Sequence, residues 1–158
     1  MSEETDKLLT KGMLTWSGGV ASIRTTVSRA GFELDTNDFQ GPDGKYHDEW
    51  IDGGGQELVE TSSGEKATRV YCGRALPAEE LQKLGLTKKD VIGKLKLFVC
   101  GNSQTRLGEN AEAVDEGWKY IYNVLEKVPE ISAIAGVEKI WFKGKLVFAH
   151  FHCVSPAK

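Results

Sequence analysis

The 158 residues include only three cysteines, four prolines, two methionines and three histidines. Cys72, Cys100 and Cys153 are odd in number, lie far apart and form no Cys-x-x-Cys pair. That pattern points away from a disulfide framework and from a zinc ribbon, and reduced, mostly buried thiols are expected. No apolar run reaches the ~18 residues of a membrane span, and the polar, acidic start from Met1 to Lys7 has no signal-like stretch behind it. A cytoplasmic protein without membrane contact is therefore expected. Charge of one sign is also lacking: the net charge is -3, without the broad positive field that phosphate binding needs, so direct nucleic-acid binding is not expected. With 40% hydrophobic and 27% charged residues the composition is that of a globular protein. At this length a single domain, 1–158, buries roughly 70% of the unfolded chain's surface without the help of a metal, cofactor or disulfide.

Against these absences stands a faint internal repeat, over 6–75 and 90–154. "DKLLTKGMLTWSGG" (Asp6 to Gly19) and "DVIGKLKLFVCGN" (Asp90 to Asn102) are apolar at helical spacing and stop at glycine. Thr87 with Asp90 resembles a capping box, and Gly18 and Gly101 serve as stops. "DGKYHDEWI" (Asp43 to Ile51) and "EGWKYIYNV" (Glu116 to Val124) then alternate around aromatic residues as half-buried strands do. Each is followed by a Gly-x-Glu hairpin, Gly55 to Gly73 and Gly136 to Cys153, with a second glycine at the turn. Residues 118–124 also satisfy a helix template, but Gly117 and the β-branched and aromatic content favour strand. A short helix at Ala78 to Leu84 follows Pro77 and ends at Gly85. Gly18 to Ser28, Asn37 to Lys45 and Asn102 to Asn110 read as loops. The expected fold class is α+β, an antiparallel sheet with helices packed on it.

The pieces "LLTKGMLTWSGG", "YHDEWIDGGGQELVE" and "AGVEKIWFKGKLVFAHFH" resemble the bacterial family catalogued as domain of unknown function 5680. Trp16, Gly18 and Gly19 fit its first element; Tyr46, Asp48, Gly54, Gly55 and Glu57 its second; Gly136, Glu138, Ile140, Gly144 and Val147 its closing hairpin. Arg69-Val70-Tyr71-Cys72 departs from the tryptophan that relatives tend to carry after the first hairpin turn. Some relatives join this domain to a helix-turn-helix segment, so the resemblance implies a sensor or interaction module, here free-standing.

Several side chains invite chemistry. His150 and His152 share one face of an extended strand, and His47 on an earlier strand is a third imidazole for an open zinc site. The same strand is apolar on both faces, which suits a core strand whose histidines are satisfied internally, and no ligand-spacing motif supports a metal. Cys153 faces away from His152, so a structural, buried thiol is expected in place of a nucleophile. Glu57 and Glu138 hold matching places in the two halves; they either approach as an acid/base pair or each anchors a hairpin through Arg69, Arg74 or Arg106. The triple glycine Gly53 to Gly55 and Ser17 to Gly19 lack the form of a phosphate cradle and read as a bulge and a helix stop. Trp16, Trp50 and Trp118 either fill the core or line an apolar pocket with His47 or Glu57 at its rim.

No catalytic motif is present, so the residues read first as a non-catalytic module that binds a small molecule or a protein. The alternative is a small hydrolase-type or metal-dependent enzyme using the same glutamates and histidines. Homodimer formation across a free sheet edge is a third reading, which the residues neither favour nor oppose.

Overall fold

The computed structural model describes residues 1–16, 18–101 and 106–158. One antiparallel sheet of nine strands dominates, with three helices, so the α+β class holds only coarsely. In chain order the elements are α1 (Glu3–Thr15), β1 (Ile23–Arg29), β2 (Phe32–Gly41), β3 (Gly44–Ile51), β4 (Gly54–Thr61) and β5 (Lys66–Ala75), then α2 (Ala78–Gln82) and α3 (Lys88–Cys100). β6 (Ala111–Asp115), β7 (Trp118–Val128), a 3-10 turn (Pro129–Ile131), β8 (Ala133–Phe142) and β9 (Lys145–Ala157) complete the chain. The sheet order is β1-β2-β3-β4-β5-β9-β8-β7-β6, two meanders joined where β5 pairs β9.

Local chemistry explains the hairpins. Ala30-Gly31, Glu116-Gly117 and Lys143-Gly144 are two-residue loops in which both residues have positive φ, the turn whose twist matches that of the flanking strands. Glu116-Gly117 thus ends β6 and starts β7, and Trp118 to Val124 is strand, not helix. The Thr87/Asp90 capping box opens α3, and Ser2 caps α1. Two expectations are corrected here. Asn37 to Lys45 is not a loop: it is the end of β2, a tight turn and the start of β3, in register from Asn37↔Asp48 to Gly41↔Gly44. β1 likewise takes Ile23 to Ser28 out of the expected Gly18 to Ser28 loop, because pairing with β2 satisfies a polar strand that has no hydrophobic alternation of its own. Of the expected loop at Asn102 to Asn110, 102–105 lie outside the described residues. Gly53 is a turn residue with φ 114°, not a bulge.

Both long helices lie on one face of the sheet. Leu8 and Leu9 of α1 pack with Tyr46, Val59, Ala67 and Val154, while Met13 joins Val91, Leu95, Phe98 and Val99 of α3 over Trp118, Tyr120, Ile140 and Phe148. The opposite face is open: Leu58, Val70 and Phe151 are exposed there, and so are Cys72 and Cys153. The expectation of buried thiols fails for these two, since β5 and β9 are central in the sheet yet covered on one side only.

The two meanders carry matching ladders. Tyr46↔Val59 and Asp48↔Glu57 in β3/β4 have their counterparts in Tyr120↔Ile140 and Tyr122↔Glu138 in β7/β8.

Candidate functional site

Alternation in β3, β4, β5, β8 and β9 aims Asp48, Glu57, Arg69, Tyr71, Glu138, His150 and His152 at the helices, into the interior. The result is two buried ion pairs of the same form. Glu57 receives Tyr46 Oη at 2.8 Å and Arg69 Nη2 at 2.7 Å, with Arg69 Nε on its other oxygen. Glu138 receives Tyr120 Oη at 3.0 Å and Arg106 through Nη2 at 2.6 Å and Nε at 3.1 Å. Burial by itself pushes each carboxyl up, but the facing guanidinium overrides it: Glu57 is held below and Glu138 well below the usual range. Both glutamates are therefore ionised anchors, each with its own arginine. They do not form a carboxylate pair: β5 and β9 stand between β4 and β8, and the ladders offset Glu57 from Glu138 by four residues along the strands.

The ladders differ on both sides of the glutamate: Asp48 opposite Glu57 is replaced by Tyr122 opposite Glu138, and the strand on the other side differs too. Arg69 lies opposite Glu57, and the residue in that place opposite Glu138 is His150. The missing guanidinium is supplied by Arg106 from the segment after α3, at a left-handed φ of 67° and with its charge 5.5 Å from the Trp16 ring centroid. His150 also faces this carboxylate: its Nδ1 lies 3.3 Å from Glu138 Oε1, and His152 Nε2 lies 3.1 Å from the same atom. These three groups form the one candidate metal-ligand cluster among the described residues. Burial pushes the His152 imidazole down to about 4, so it is neutral at pH 7.

Beside this network a cavity of about 320 Å³ opens between the sheet, the C-terminal end of α1 and the Lys88, Ile92 and Lys96 face of α3. Trp16, Trp50, Ile92, Leu95 and Phe148 wall it, and Tyr71 and His150 line its polar side. Gly55 permits this closeness: a Cβ there would lie 2.5 Å from Tyr71 Oη and 2.6 Å from Trp50 Cβ. Tyr71 donates to Asp48 at 2.9 Å, and burial together with the Glu57 charge raises the Asp48 carboxyl to about 7. Trp16 Nε1 is a buried donor without a hydrogen-bond partner, and Trp16 belongs to this cavity. A larger hollow of about 570 Å³ surrounds Asp38, Lys45, His47 and Leu58, but no unpartnered buried polar atom belongs to its lining. The smaller cavity is the candidate site.

Of the residues singled out in the sequence, Trp16, Trp50 and His150 meet at this cavity, and Glu138 and His152 lie behind it. His47 is elsewhere, bonded to Asp38 at 2.8 Å on the other side of the sheet, because it alternates with Tyr46 and Asp48. A three-histidine site is thereby ruled out. Trp118 is a core residue, its ring 4.6 Å from Phe142, and Glu57 is enclosed by Tyr46 and Arg69; neither His47 nor Glu57 stands at the rim of the cavity that Trp16 and Trp50 line. Asp48, Tyr71 and Phe148 were not foreseen as site residues. The alternation that brings Tyr71 to the face of Arg69 was the available signal. No family model, curated protein or solved structure matches this chain.

Proposed function

We propose that this protein is a non-catalytic module that binds a small molecule in the cavity between the helices and the sheet. The observation that carries the reading is Trp16 Nε1, a buried N–H donor with no acceptor, in a cavity walled by Trp50, Leu95 and Phe148. Buried polar atoms without partners are uncommon in native proteins, and an apolar pocket with a few convergent polar groups is the usual form of a ligand site. The saturation of both glutamates by arginine and tyrosine supports binding over acid/base chemistry, since neither carboxylate is left to accept a substrate proton. The sensor or interaction role implied by the resemblance to domain of unknown function 5680 accords with this. The matched ladders support reading 6–75 and 90–154 as two copies of one unit, with the pocket arising where the second copy exchanged arginine for His150.

Native mass spectrometry of untagged protein purified from cells tests the reading. An organic adduct in the native spectrum, absent from the Trp50→Ala variant, is the expected result. A clean mass in both, with no compound of a metabolite library raising the melting temperature, would count against it.

A second reading rests on Glu138, His150 and His152, whose ligand atoms all lie within 4.8 Å of one another. A divalent metal there would belong to a metal-dependent hydrolase, although the Arg106 charge on Glu138 opposes a cation. Addition of Co²⁺ separates the two: visible absorption of a four-coordinate ion, lost in His150→Ala/His152→Ala, supports the metal.

A further inference from the structure

The charges at the mouth of the cavity say what kind of molecule it takes. Arg24, Arg74, Lys88 and Lys96 line it against only Asp35 and Asp52, an excess of two positive charges in a chain whose net charge is -3. Lys88 is engaged with Asp52 at 2.7 Å, and Arg24 donates to the Thr15 carbonyl at 3.0 Å. Among the described residues no carboxylate lies within ion-pair distance of Arg74 or Lys96. Asp52 is held below the ordinary range by Lys88 first and by Arg74 at longer reach, so it stays ionised and tied to the Lys88 side. Lys96 projects from α3, one residue after the buried Leu95, and is half-buried; Arg74 projects from β5, beside Gly73 and Ala75. Arg74 and Lys96 are thus the lining cations without an ion pair of their own, Lys96 on the α3 face that it shares with Lys88 and Ile92, and Arg74 past the last β4 partner of β5, with Asp52 as its longer-range counter-charge.

Behind them the walls are flat and apolar. Trp16 is fixed by the Arg106 guanidinium over its ring, Phe148 packs against His150 at 4.4 Å, and Trp50 is seated over Gly55. Aromatic walls of this kind favour a planar guest. The volume, about 320 Å³, is at the low end of small-molecule pockets and suits a compound of one or two rings.

Resting on the small-molecule reading above, we infer that the ligand is a compact aromatic carboxylate, its ring system among Trp16, Trp50 and Phe148 and its carboxylate between Arg74 and Lys96. The acid group stays at the wet end of the cavity, where two cations compensate its desolvation. A polar ring substituent would meet the Trp16 Nε1 donor.

Calorimetry with 2-naphthoate and with its neutral amide tests the inference on the full chain. The acid is expected to bind roughly tenfold or more tightly than the amide, with an affinity that falls as salt is added. In Arg74→Ala/Lys96→Ala, two residues outside the core, the acid should drop to the level of the amide while the amide is unchanged. In Trp50→Ala both should weaken. An amide that binds as well as the acid, or an acid indifferent to loss of the two cations, overturns the carboxylate inference and leaves the pocket standing. Failure of both compounds to bind the native protein would overturn the inference, and the mass spectra would decide separately whether the pocket holds another class of molecule.

Discussion

The most telling residues are the ion pairs that stitch the sheet from inside. Arg106 and Glu138 are both fully enclosed, so removing one partner strands the other as a buried charge. Glu138→Gln is expected to cost about 3–5 kcal/mol in urea denaturation, and Arg106→Met/Glu138→Met distinctly less than that. Equal losses in the single and double variants would mean that packing, not charge, dominates there. The titration of two further residues gives a pH signature. Asp48, raised by burial and then by Glu57 from 3.8 to about 7, keeps a proton in the folded chain that the unfolded chain has released. Its contribution is complete below about pH 4 and is lost as pH rises towards 7. His152, lowered by burial from 6.5 to about 4, has the opposite sign: the unfolded chain binds the extra proton, and stability climbs from about pH 4 to 6.5. The two slopes cancel over most of this window, giving the native protein a flat profile. Asp48→Asn should reveal the rising His152 limb and His152→Gln the falling Asp48 limb, by denaturation at stepped pH. An Asp48→Asn profile as flat as that of the native protein would dismiss the coupling. Below about pH 4 the ion-paired Glu57 and Glu138, whose folded values are lowered, withdraw their stabilisation as they protonate, so acid unfolding is expected there.

At the scale of elements, two glycines with the same propensity have opposite roles. Gly93 in α3 faces open space, and Gly93→Ala should stabilise by about 0.5–1 kcal/mol through the unfolded chain and helix propensity. Gly12 in α1 lies on the Tyr46 ring, and a Cβ there would be 2.0 Å from Cε2. Tyr46 cannot swing away without abandoning Glu57, so Gly12→Ala should lift α1 off β3 and β4 and cost roughly 1–3 kcal/mol. Thermal denaturation of the pair reads both signs at once. Helical periodicity, the capping box and the turn glycines were legible in the sequence within two or three residues of the observed ends, because local backbone chemistry decides them. β1 and β2 were not. Their burial pattern is largely exposed and polar, and only pairing of β1 with β2 and of β2 with β3 makes them strands.

For the whole molecule, coverage of the sheet on one side is the main consequence of the topology. Both long helices lie over one face, so Cys72 and Cys153 on central strands look outwards, while Cys100 is half-buried with its thiol 3.5 Å from the Met13 carbonyl. Two thiols should react promptly with a disulfide reagent in the native protein and the third far more slowly; three equally slow thiols would mean that the open face is covered. The free edges of the sheet are β1 and β6, whose Ile23 and Val114 are strongly exposed. No helix among the described residues is long and apolar enough to cross a membrane.

Alternation and turn chemistry by themselves determined the β4/β5 and β8/β9 hairpins, the capping box of α3 and the shared face of His150 and His152, since each depends on residues a few positions apart. They also offered Arg69, Arg74 and Arg106 as partners for the glutamates, of which Arg69 and Arg106 take that role. The partnering itself was decided by the tertiary structure. Whether His150 or an arginine faces Glu138, whether Trp16 and Trp50 meet while Trp118 is buried, and which side of the sheet His47 takes all depend on the β5/β9 junction and on where the helices land. Those contacts join residues up to about 130 positions apart. The cavity exists only because the sheet carries both meanders under one pair of helices, a long-range arrangement that no window of sequence contains.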